Sequence, residues 1–150
     1  CAAPAIAGAA RAQERAARRT VVINLSLEPD SLDPTMAPSA AVGEVVHYNV
    51  LEGLTRIDEN GQVKPLLAQS WSQDASGLVH VFKLRRGVRF HDGAVLDAQA
   101  VRFSFERAKA PGSTNKARKA LFDNIARIET PDAHTVVLAL ERPDVPFVMA

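Results

Sequence analysis

The sequence predicts a mixed α/β (α+β) domain, and three observations carry that prediction. Apolar residues alternate with period two at 21–27, residues 78–84 divide into two strand faces, and 124–129 with 135–141 read as the arms of a hairpin. Residues 97–109 instead place apolar side chains at helical spacing. Turn signals (Asn60-Gly61, Asp92-Gly93, Pro111-Gly112) separate the runs, with no regular βαβ alternation and no internal repeat.

Taken in order, Val21, Ile23, Leu25 and Leu27 alternate with Val22, Asn24 and Ser26 and predict a first strand. Pro29 and Pro34 force the following stretch, 28–34, into irregular backbone. Ser39 is placed to cap a helix in which Val42, Val45, Val46 and Val50 recur, ending near Gly53. Residues 54–57 read as a strand closed by the Asn60-Gly61 turn. In 78–84, Leu78, His80, Phe82 and Leu84 share one face, and Val79, Val81 and Lys83 the other. Asp97 caps a helix running to Lys109, with Ala98, Val101, Phe105 and Ala108 along one side. The last third predicts a hairpin, 124–129 and 135–141, around a turn at 130–133.

Composition sets the outer limits. The chain has 150 residues, 47% of them hydrophobic, a net charge of +1 and a single Cys. That excludes wholesale disorder, an internal disulfide and a strongly basic nucleic-acid binder. Residues 1–19 hold four Arg and one Glu in an Ala-rich head, leaving 14 basic and 16 acidic residues in 20–150. Ala10-Arg11-Ala12 fits the small-x-small pattern of a signal-peptidase site. The other readings of the head are a lipoprotein start at Cys1, an Arg-rich transit peptide, or a solvated helix with no targeting role. Export is the expectation carried forward.

A search for chemistry returns little. There is no G-x-S-x-G elbow, no G-x-G-x-x-G and no phosphate-binding loop. His47, His80, His91 and His134 lack metal-ligand spacing, so no metal and no cofactor are expected. Lys83, Arg85, Arg86 and Arg89 read as a solvated strand edge.

Two stretches are more specific: Leu66-Leu67-Ala68-Gln69-Ser70-Trp71, and Phe82-Lys83-Leu84-Arg85-Arg86-Gly87-Val88-Arg89-Phe90-His91-Asp92-Gly93. They resemble the signature of the family 5 extracellular solute-binding proteins, the peptide/nickel-type receptors of ABC importers. Four further elements fall in the right order: Glu28-Pro29-Asp30-Ser31-Leu32-Asp33-Pro34, the segments 48–54 and 60–65, and the helix 98–107. The segment from Pro131-Asp132 to Pro146-Phe147 continues the same likeness. The resemblance covers roughly residues 20–150. One departure is Ala100, where the family usually has an acid in the helix's first turn, a loss of about 0.3–1 kcal/mol of dipole stabilisation.

The resemblance implies the N-terminal part of a two-lobed clamp of the type II periplasmic-binding-protein class. Residues 1–19 would be a signal remnant or head, 20–57 the start of lobe one, and 58–150 a β-rich inserted subdomain. The implied function is capture of a peptide or similar small polar solute in the periplasm and delivery to ABC permease membrane subunits, with no catalysis, no nucleic acid and a monomeric full-length protein. Nickel-chelate, opine and sugar receptors of the same family are the alternatives, and a stand-alone interaction module is the alternative of another class. Trp71 and the stretch 82–93 read as structural. The loop 28–38 follows a strand's C-terminal end, where open α/β sheets place ligands, and its backbone groups are available to an extended ligand. The resemblance puts that loop on the cleft wall, so Glu28, Pro29, Asp30, Ser31, Met36 and Pro38 are the candidate contacts. Arg118 joins them because it aligns with a cleft-facing segment. For the loop, the competing reading is a plain surface loop, and for Arg118 a solvated helix position.

Overall fold

A computed structural model describes residues 22, 24–29, 31–33, 40–47, 49–115, 119–144 and 147–148. The head 1–19, with Cys1, lies outside them, as do Val21, Ile23 and Ser39. The described residues of the expected first strand, Val22 and 24–27, are not in a strand, and Val22 is 90% exposed. Alternation defines a face, but a strand also needs a neighbour's hydrogen bonds, and none of the described strands pairs with this run.

Helix α1 (Ala40–Val46) buries Ala41, Val42 and Val46. It stops earlier than the expected end near Gly53. Val50 is 50% exposed, and the Asn49 side chain donates back to the Glu44 carbonyl at 3.0 Å. A helix this short needs packing to persist, and beyond Val46 there is little.

Strands β1 (Thr55–Ile57) and β2 (Val63–Pro65) form an antiparallel ribbon with Ile57 opposite Val63. The Asn60-Gly61 turn is present, with Gly61 at φ 74°. Asp58 organises it: one carboxylate oxygen accepts from the Asn60 N–H at 2.9 Å and the Gln62 N–H at 2.8 Å.

The main sheet has four antiparallel strands in the order β3-β4-β6-β5: β3 (Ala68–Gln73), β4 (Val79–Leu84), β5 (Ile125–Asp132) and β6 (Thr135–Leu140). The face expected for 78–84 is the observed one, with His80, Phe82 and Leu84 buried. Cross-strand pairs extend it, Phe82 against Val136 and His80 against Leu138. The hairpin is tighter than expected. Strand β5 continues to Asp132, so the turn is Ala133-His134. The Asp132 carboxylate accepts from the His134 N–H at 2.7 Å and from the Thr135 hydroxyl at 2.7 Å, a local cap that lets the chain reverse in two residues.

Helix α2 (Ala98–Lys109) has the expected bounds and cap, with the Asp97 carboxylate accepting from the Ala100 N–H at 2.8 Å. Ala98 and Val101 face the core, and α2 packs on β5 and β6. Arg107 and Lys109 sit in the last turn, where cations complement the exposed carbonyls. A short helix, α3 (Lys119–Asp123), was not evident from periodicity, and its Phe122 ring lies 5.5 Å from that of Phe105. The core is thus one layer between sheet and helix, centred on Phe82, Leu84, Val101, Ile125 and Leu138.

Candidate functional site

Three of the seven expected contact residues are among those described. Glu28 is exposed, while Pro29 and Ser31 are half-buried. The Ser31 hydroxyl accepts from the Asp33 N–H at 2.9 Å, which bends the chain locally and turns that oxygen toward its own backbone. Asp30, Met36, Pro38 and Arg118 lie outside the described residues. None of the described three lines the cleft that the fold does form.

That cleft has a volume of about 900 Å³. Phe82 and Leu138 from the sheet form its floor, and Val101 and Phe105 from α2 form one wall. The segment 49–55 forms a further wall, joined by Phe147 and Val148. Backbone bonds hold this wall in place, since Leu66 and Ala68 donate to the Leu54 carbonyl and Leu67 donates to that of Gly53. The Thr55 hydroxyl donates to the Val148 carbonyl at 2.6 Å, tying the end of the chain to the ribbon.

The rim comes from the stretch 88–96. Phe90 donates to the Ala94 carbonyl and Leu96 to that of Val88, so this is a closed hairpin-like loop. The Arg89 guanidinium donates to the Gly93 carbonyl at 2.7 Å, and the Asp92 carboxylate accepts from the Ala94 N–H at 2.9 Å. Phe90 stands on the rim 47% exposed, and His91 is exposed. The structural reading of 82–93 therefore holds for Phe82 and Leu84, whereas Arg89, Phe90 and His91 edge a cavity. Sequence reasoning missed this. Its signal was apolar residues outside the periodic pattern (Leu51, Phe90) that come together, still largely exposed, in one cleft lining.

The cleft suits apolar surface, and among the described residues that line it no nucleophile is paired with a base. Ser104 donates to the Ala100 carbonyl of its own helix at 3.1 Å. Among the described residues no three His, Cys, Asp or Glu side chains converge as a metal site requires. No helix among the described residues is long and apolar enough to cross a membrane.

The perturbed titrations lie at turns and in the core. Hydrogen bonding holds three carboxyls below the usual carboxylate value: Asp58 through the Gln62 N–H, Asp74 through the Ser76 hydroxyl, and Asp132 through the Thr135 hydroxyl. His80 differs. It is fully buried, neither ring nitrogen has a hydrogen-bond partner among the described residues, and its ring centroid lies 5.0 Å from that of Phe147. Burial pushes its imidazole below the ordinary histidine value, opposed by the Gly77 backbone and the Asp74 and Asp144 carboxylates.

This four-stranded antiparallel sheet, its long helix and the two-stranded ribbon superpose on part of solved periplasmic binding proteins of the type II clamp class. The chain superposes on the binding protein AgaA of A. tumefaciens R10, solved with agropinic acid, with a TM-score of 0.73 and 33% identity over 81% of this chain and 24% of that one. It superposes equally on NikZ of Campylobacter jejuni, solved with Ni(L-His), with a TM-score of 0.71 and 33% identity over 81% of this chain and 24% of that one. Residues 62–150 match the family described as bacterial extracellular solute-binding proteins, family 5 middle, and the chain belongs to that family. It is also 34% identical over 132 residues to the glutathione-binding protein GsiB of Salmonella choleraesuis, covering 88% of this chain. The chain spans about a quarter of the length of that relative, 25%.

Proposed function

We propose that the protein containing this chain is the substrate-binding component of an ABC importer. It captures a peptide or similar small polar solute outside the cytoplasmic membrane, in the periplasm, and hands it to the permease subunits as a monomer. It makes and breaks no bond. The observation that carries this reading is the family match over 62–150, supported by the likeness to a glutathione-binding protein. In this reading 1–19 is an export remnant, 20–57 opens lobe one, and 58–150 is its β-rich subdomain.

The loop 28–38 supplies ligand contacts on one wall, through Glu28, Pro29, Asp30, Ser31, Met36 and Pro38, and Arg118 adds a cation. A clamp gains affinity by desolvating its ligand between two surfaces, so one wall leaves the ligand half solvated. The likeness to proteins solved with agropinic acid and with Ni(L-His) favours an opine or nickel-chelate receptor as the second reading.

Calorimetry on the protein at its natural length, with glutathione, short peptides, agropinic acid and the nickel–histidine chelate, tests the proposal. Micromolar or tighter binding of one class is expected. Asp30→Ala should weaken it without lowering the melting temperature of the free protein. Failure to bind any small solute, or turnover of one, would sink it.

A further inference from the structure

His80 occupies a position that the rest of its strand reserves for carbon. Its neighbours on the same face are Phe82 and Leu84, and its cross-strand partner is Leu138. Both ring nitrogens are buried without a well-formed hydrogen bond, the Gly77 backbone being the one polar group that acts on them at short range, and a poorly paired buried nitrogen costs stability where an apolar side chain would not. The ring is covered by Phe147, whose N–H donates to the Asp144 carbonyl at 3.2 Å. On the other side the 74–79 turn closes on the same region, since a Cβ on Gly77 would lie 3.4 Å from Pro143.

Among the described residues, the charged groups that act on the ring are both acidic: Asp74 from the turn between β3 and β4, and Asp144 three residues before Phe147. A neutral imidazole can remain under Phe147. An imidazolium there would be a buried charge, and its loss of hydration outweighs the help of the Gly77 backbone and of the two carboxylates. Phe147 and Val148 also line the cleft, and the Val148 carbonyl holds Thr55 of β1.

We propose that His80 is a proton-operated latch on the turn at Phe147 and Val148, and through it on one wall of the cleft. Uptake of one proton from solvent expels the ring from beneath Phe147, loosens the turn and releases its tie to Thr55. The rest of the sheet, held by its own ladder, stays in place.

The test is amide hydrogen exchange followed by NMR on the protein at its natural length from pH 7.5 to 5, corrected for the intrinsic pH dependence of exchange. Protection at Phe147 should fall as pH drops below about 6.5, the ordinary histidine value, by up to about tenfold per pH unit. Protection at Leu138 should not change over the same range. His80→Phe should keep the protection of Phe147 at pH 7.5 and abolish its pH dependence. A pH-independent Phe147 amide, the same fall in His80→Phe, or an equal fall at Leu138 would overturn the latch. If His80→Phe does not fold, the His80 ring proton in the unaltered protein decides. It should titrate in step with the loss of protection at Phe147, and titration as a solvated histidine with Phe147 unmoved would overturn the proposal.

Discussion

Phe82 and Trp71 face each other across β3 and β4, yet they differ in what truncation removes. Phe82 is 3% exposed at the centre of the core, so Phe82→Ala should cost about 3–5 kcal/mol in chemical denaturation. Trp71, expected from sequence to be equally structural, is only half-buried against that core. Trp71→Ala should therefore cost clearly less than Phe82→Ala, and an equal loss would contradict the burial. His91 is exposed on the rim, and His91→Ala should stay within about 0.5 kcal/mol of the parent. Phe82 and His91 are ranked correctly from the sequence, and Trp71 is not. Alternation identifies the face of a strand, whereas depth depends on what is packed above it.

At the scale of elements, α2 was readable because its stop and start signals are local. Asp97 must accept a backbone N–H close in sequence, and Pro111 must end the run. Asp97→Ala should cost about 0.5–2 kcal/mol, read as a lower denaturation midpoint with unchanged slope. Ala100 packs partly against the core, so its contribution here is apolar contact. The turns allow a sharper comparison. Gly61 and Gly77 both have φ 74°, but a Cβ on Gly61 meets nothing within 4 Å, while one on Gly77 lies 3.1 Å from the Gln73 amide and 3.4 Å from Pro143. Gly61→Ala should cost about 1–2 kcal/mol for backbone strain alone. Gly77→Ala should cost about the same, about 1–2 kcal/mol, because 3.4 Å from Pro143 is an ordinary contact and the Gln73 amide can move aside; a clearly larger loss would show that the turn is held rigidly against Pro143.

For the whole molecule, acid should act in two steps. His80 has a folded value below its unfolded one, so the unfolded chain binds the proton first. Its contribution to stability is complete above about pH 6.5 and is lost as pH falls through that value toward the folded one. Asp58, Asp74 and Asp132 also have lowered values, and their contributions persist until pH drops below the ordinary carboxyl value of 3.8. Urea midpoints measured from pH 7.5 to 3 should show the upper step and lose it in His80→Phe. Binding belongs to the same scale. If, as proposed, residues 20–150 carry one wall of a two-lobed clamp, they should alone bind no solute tighter than about millimolar, roughly 4 kcal/mol, because one wall cannot desolvate a ligand. Micromolar binding by this segment in calorimetry would place the whole site inside it.

The sequence by itself determined the strand 79–84 and its buried face, the helix 98–109 with its Asp97 cap, the Asn60 and Asp92 turns, and the family. Each depends on contacts within a few residues or on motifs read in order. Tertiary structure decided the rest. The run 21–27 has a strand's alternation but no partner among the described strands. Helix α1 ends where its packing ends, and β5 runs on to Asp132 because β6 pairs with it. The cleft is built from segments 49–55, 88–91 and 147–148, far apart in the chain. Neither it nor the covering of His80 by Phe147 has a local signature, because burial is a property of surfaces brought together and not of residues in sequence.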